Sequence, residues 1–225
     1  IFNKGVPKIM SIEFLQTYLP LYFQGAGYTV ALSFFSVILG VLLGSGLTLA
    51  KMSSSKWLSI PAHAYIQVVR GTPLMVQLFI VYYGLYVLNV DLPDFASGVI
   101  TISLNSAAYI AEIIRAGIQA VDKGQMEAAR SIGMNQNLAM RKIIYPQALK
   151  NILPALGNEF ITLMKESSIV SVIGMQDMMF KAKVVAGATF MPFTPYIIAA
   201  IFYFILTTIF TKLLEIYERR LKQSD

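Results

Sequence analysis

The sequence has no cysteine, which excludes a disulfide framework, a thiol nucleophile and any thiolate metal site. It has one histidine, His63, beside Pro61 and without a carboxylate or serine partner in a motif, so packing rather than catalysis is expected of it. No G-x-x-x-x-G-K-[ST] phosphate loop occurs anywhere, which excludes ATP hydrolysis by that route. No internal repeat stands out. Charge is scarce too. Only 13% of the 225 residues are charged and 56% are hydrophobic, too little polar surface to cover a soluble domain of this length.

What the chain does have is long apolar runs. Phe14 to Ala50 contains no charged residue, nor do Gly71 to Val90 or Val184 to Thr211. About 20 apolar residues suffice to cross a bilayer as a helix, so each run is long enough. The pattern predicts an all-α, polytopic bundle of about five transmembrane helices. These cover roughly 22–51, 57–90 with an interruption at Arg70-Gly71-Thr72-Pro73, 95–120, a less hydrophobic 151–173, and 194–220. The whole of 1–225 reads as a single transmembrane domain, with a polar loop at about 121–150. The chain opens on Ile1 rather than methionine, the expectation being a processed or trimmed start. Nothing ahead of the first span resembles a signal peptide, because the run from Phe14 is too long for one.

The net charge of +6 invites a nucleic-acid reading, but its distribution points to lipid. With the N-terminus outside, twelve lysines and arginines fall in inside segments, from Lys51 and Lys56 through the 115–150 region to Lys212, Arg219, Arg220 and Lys222. Four fall outside: Lys4, Lys8, Lys181 and Lys183. The positive-inside rule then places the C-terminus in the cytoplasm. Gly40 and Gly44 form a G-x-x-x-G spacing, read as ordinary bundle packing.

The loop carries the most specific signal. Asp122 followed by Gln125 suits a capping box, and Glu127 complements the dipole of a short helix. That helix is expected to stop at Gly133 in a left-handed cap. Asn135 caps a second short helix, expected to end before Tyr145-Pro146. Ala128 and Ala129 offer a flat face to a partner.

Glu127-Ala128-Ala129, Gly133, Ile143 and Pro146 together resemble the EAA---G---------I-LP signature of ABC importer permeases, with Tyr145 where leucine is usual. Arg70-Gly71-Thr72-Pro73-Leu74, Gln77-Leu78-Phe79, the stretch from Ser106 to Ile118, and Asn158-Glu159-Phe160-Ile161 resemble the polar amino-acid branch of that family. The likeness runs from about Gly27 to the end, with Glu166-Ser167-Ser168 where Asp-Thr-Ser is expected. It implies a type I importer fold, with Glu127, Ala128, Ala129, Gly133, Ile143 and Pro146 coupling to an ATPase. It also implies two ATP-binding-cassette subunits, a second permease copy (identical or related), an extracytoplasmic solute-binding protein, and the bacterial cytoplasmic membrane as location. No cofactor is expected on this chain; ATP with magnesium belongs to the partner ATPase.

Ionisable groups at membrane depth are functional candidates. Here they are Arg70, Glu112, Arg115, Glu159, Lys165 and Glu166. Glu112 and Arg115 are spaced to pair on one helix face. Glu159, Thr162 and Glu166 fall at i, i+3 and i+7, one stripe, and Glu159 has no obvious partner in sequence. Pro73 suits the first position of a new half-helix with Thr72 as its cap. Such an N-terminus, with Arg70 nearby, would cradle a carboxylate. Glu159, Glu112, Thr72, Arg70, Gln77 and Thr162 are therefore the candidate solute contacts. Two facing carboxylates would favour arginine, lysine or histidine, with glutamine as the alternative. A stand-alone ion-coupled carrier is disfavoured by the missing inverted repeat. An intramembrane hydrolase lacks a nucleophile and base.

Overall fold

The spacing of small residues on the first long run decides how the bundle closes. In a computed structural model, which describes residues 12–222, that run forms α1, Ile12–Lys51, about 60 Å long at 1.5 Å per residue. It begins ten residues before the sequence suggests. Lys4 and Lys8, counted above as outside charges, lie outside the described residues. α1 buries Thr29, Ser33, Ser36, Gly40, Gly44 and Thr48 along one face, against α4, Asp94–Gln119. A Cβ on Gly44 would sit 2.8 Å from Cγ2 of Ile110 and 2.9 Å from the carbonyl of Ala107. The G-x-x-x-G spacing is thus a seam within the chain, where only glycine lets two helices approach so closely.

Between these helices lie α2, Lys56–Gly71, and α3, Leu74–Val87. They meet at an angle of 112°, so the second apolar run is bent sharply where the sequence places its interruption. By length and composition α1, α4 and α9, Thr194–Lys222, are long and apolar enough to span a membrane, and the α2–α3 pair makes a bent fourth. The fifth element is α7, Tyr145–Glu166. Its 22 residues are long enough for a bilayer core but carry more polar groups.

Two expectations need correction. The second short loop helix does not stop before Tyr145-Pro146. α6, Gln136–Ala139, runs through a π-helical stretch, Met140–Ile144, directly into α7. The wider i→i+5 winding accommodates Pro146 at the start of α7, where its missing N–H is least costly. α7 therefore starts six residues before the predicted 151. At its far end it tightens into a 3₁₀ turn over Ser167–Ile173, closed by Gly174 at φ +85°.

The second correction concerns 178–189, read above as an outside loop. It forms α8, Met178–Thr189, capped by Asp177, whose carboxylate accepts from the amides of Met179 and Phe180 at 3.2 and 2.9 Å. Met178, Ala182 and Val185 pack with Tyr22, Ala26, Ile198 and Ala199 into a cluster joining α1, α8 and α9. A second cluster joins Leu32, Leu78, Ile102, Leu163, Val170 and Met175, and a third joins Ile66, Val69, Ala108 and Ala111.

Candidate functional site

The break between α2 and α3 is built from side chains that close open carbonyls. Thr72 was expected to cap α3, but its hydroxyl donates back to the carbonyl of Val68 at 2.8 Å. Pro73 occupies the cap position without a side-chain bond. Gln77 reaches back across the break, its amide within 2.8 Å of the Val69 carbonyl and 3.1 Å of the Thr72 carbonyl. It also lies 2.9 Å from the Thr72 hydroxyl. A kinked helix leaves such carbonyls without amide partners, and Gln77 supplies them. Its own carbonyl accepts from Asn105 of α4 at 2.9 Å. Thr72 and Gln77 are therefore committed to holding the break.

Arg70 lies in the last turn of α2, where a cation complements the helix dipole. Its guanidinium stacks over the Tyr109 ring, 5.5 Å from the centroid, and it makes no ion pair among the described residues. It shares a cavity of about 480 Å³ with Lys51, His63, Gln67 and Glu112. Glu112 is held from both sides, by Lys51 of α1 and by Arg115, whose Nη2 is 2.8 Å away. His63, expected to pack, is instead exposed, its ring nitrogen 2.8 Å from the Ser59 carbonyl of its own helix.

Glu159 differs. It is half-buried on α7, accepts from the Ser106 hydroxyl at 2.9 Å, and has no cation in salt-bridge range among the described residues. Thr162 lies one turn further on, half-buried, and Glu166 is exposed at the end of α7. Lys165 and Glu166 form no ion pair among the described residues. Asn105 and Ser106 were missed as functional positions, because polar residues in an apolar helix carry no local motif. The signal was there in the spacing of Ser97, Thr101 and Asn105 at every fourth position, a buried polar stripe on α4.

The loop helix is α5, Lys123–Ser131. Its capping box does not form: Asp122 accepts from Gly124 at 2.7 Å, while the Gln125 side chain accepts from Gln147 at 3.2 Å. A two-residue turn brings the Gly124 amide to Asp122 first. Gly133 has φ +88° and ends the helix as expected. The amide of Met134 closes onto the Ala129 carbonyl at 3.1 Å, and Asn135 accepts from the Leu138 amide at 2.8 Å. The two alanines do not share a face, since adjacent helical residues point about 100° apart. Ala129 is buried, whereas Glu127 and Ala128 are exposed. Ile143 is half-buried and Pro146 exposed. Ile132 stands 80% exposed at the tip.

Residues 36–223 match the family described as binding-protein-dependent transport system inner membrane component. The chain is similar to the arginine transport system permease protein ArtQ of Bacillus subtilis, at 44% identity over 96% of this chain and 100% of that one. It is similar to a putative glutamine transport system permease protein GlnP of Rickettsia bellii, at 43% identity over 88% and 91%. Among solved structures, a crystal structure of an amino acid ABC transporter with histidines matches with TM-score 0.88 and 52% identity, covering 94% of this chain and 100% of that one. An inward-facing MetNI methionine transporter shares the fold, at TM-score 0.74 and 18% identity over 94% and 99%.

Proposed function

The chain belongs to the binding-protein-dependent transport system inner membrane component family, and from that membership we propose that it lines the solute pathway of an importer for basic amino acids. It is a permease subunit of an amino-acid ABC importer, and a separate ATPase subunit hydrolyses the ATP. We infer the basic preference from one side chain. It is carried by Glu159, a membrane-depth carboxylate bound by one hydroxyl and by no cation among the described residues. An ion so placed is costly unless something positive visits it. Thr162 extends the same face, and Ser106 holds the carboxylate. The similarity to an arginine permease and to a transporter solved with histidines supports this reading.

In this account the 1–225 domain pairs with a second permease, its N-terminus outside and its C-terminus in the cytoplasm. Glu127, Ala128, Gly133 and Pro146 present the coupling surface to the ATPase, braced by the half-buried Ile143 and the buried Ala129. Thr72, Gln77 and Glu112 shape the pathway, each held by hydrogen bonds within the chain, while Arg70, with no ion pair among the described residues, stays free to meet a solute carboxylate. Rigid-body rocking driven by the ATPase then alternates access to the site.

A second reading has a specific basis. The putative glutamine permease is nearly as similar as the arginine permease, and a carboxylate also accepts from an amide. Competition settles it. In liposomes containing the permease, its ATPase and its binding protein, unlabelled arginine and histidine should suppress labelled arginine uptake far better than glutamine does. Equal suppression by glutamine would favour the second reading.

A further inference from the structure

At the end of the bundle opposite α5, the outer ends of α3 and α4 enclose a cavity of about 650 Å³. Tyr82, Tyr83 and Tyr86 line it together with Asp91 and Asp94, and none of its lining residues carries a positive charge. The volume lies within the range of small-molecule sites, about 300–1000 Å³. Aromatic faces and carboxylates are the two surfaces that attract an organic cation. Ser97, only 4% exposed, also lines the cavity, and its hydroxyl takes part in no hydrogen bond among the described residues.

We propose that this cavity is an antechamber that binds the ammonium or guanidinium group of a cationic amino acid before it reaches Glu159. Twelve residues of α4 separate Asp94 from Ser106, about 18 Å along the helix, so the antechamber and Glu159 are separate sites on one route. Two carboxylates at the mouth raise the local concentration of a cation and speed its entry. The inference rests on the orientation proposed above, which puts this end outside.

The absence of cysteine makes a direct test available. In the assembled transporter, Val90→Cys introduces this chain's one thiol into the cavity lining, to be labelled with a membrane-impermeant maleimide from outside and read on this chain's band after separation of the subunits. Arginine, without binding protein, should slow labelling at a concentration about tenfold below that needed by glutamine. Asp91→Asn with Asp94→Asn should abolish the difference, whereas Glu159→Gln should leave it. Outside labelling without arginine protection would overturn the antechamber and leave the orientation standing. Protection given only by the binding protein, with arginine alone inert, would make the cavity a docking surface and overturn the proposal. Labelling solely from the cytoplasmic side would overturn the orientation and the antechamber with it.

Discussion

Asn105 and Ser106 are consecutive residues of α4 that secure two different elements, one donating to Gln77 of α3 and the other to Glu159 of α7, each at 2.9 Å. One stretch of α4 thereby fixes both the broken helix and the unpaired carboxylate. A shift of α4 relative to both neighbours disturbs both.

Ser106→Ala removes a single hydrogen bond from Glu159, worth about 1 kcal/mol. The expected result is an increase of about fivefold in the KM for arginine uptake, with ATPase activity retained. Gln77→Leu is more severe, since it strands the Val69 and Thr72 carbonyls; a loss of about 1–3 kcal/mol is expected. Thermal unfolding in detergent reads the second effect, and an unchanged midpoint would show that the break needs no such fastening.

Gly133→Ala tests the loop. An added Cβ there meets nothing within 4 Å, so the cost comes from the φ of +88° alone, about 1–2 kcal/mol confined to the turn. The bundle should melt as before, while solute-stimulated ATPase activity falls and basal activity remains. Glu127→Ala should behave alike. Normal uptake in both variants removes the coupling assignment.

Gly44→Leu should destabilise the α1–α4 seam by more than the 1–3 kcal/mol usual for overpacking, because Ile110 and a backbone carbonyl stand within 3 Å of the new Cβ. Gly46→Leu is the control two residues away. Its Cβ meets nothing within 4 Å, and its thermal midpoint should match wild type.

Asp177, outside the spanning helices, gives a pH dependence. Burial pushes its carboxyl up from 3.8 to about 6, although two amides and the Tyr203 hydroxyl favour the charged form. Between those values the folded protein binds more protons than the unfolded chain, so this group's contribution to stability rises as pH falls from 7 toward 4. Melting at pH 7.5 and 5.5 should show this gain in wild type and a smaller one in Asp177→Asn, which still caps α8. Identical pH responses would show that Asp177 is charged throughout.

The spans, the break and the loop turns were legible because each rests on a local rule: apolar length, proline chemistry, glycine at positive φ. What escaped depends on contacts between distant segments. α8 lies between apolar runs and carries Lys181 and Lys183, so it reads as a loop; packing on Gly25 and Ala26, with the Asp177 cap, makes it a helix. The Glu112–Arg115 pair was legible from its spacing, whereas the second partner, Lys51, is 61 residues away and was not. Thr72 looked like a cap because sequence cannot say which carbonyls the bend leaves open. Ser106 and Asn105 gained meaning only once α7 and α3 were beside them.

The most direct test of the central claim is uptake by Glu159→Gln in liposomes with the ATPase and the binding protein. Labelled arginine, histidine and glutamine are each compared with wild type. The account predicts a fall of about tenfold or more for arginine, a small change for glutamine, and retained ATPase activity. An equal effect on all three solutes, or none, would contradict it and leave Glu159 a structural ion, with specificity residing in the binding protein.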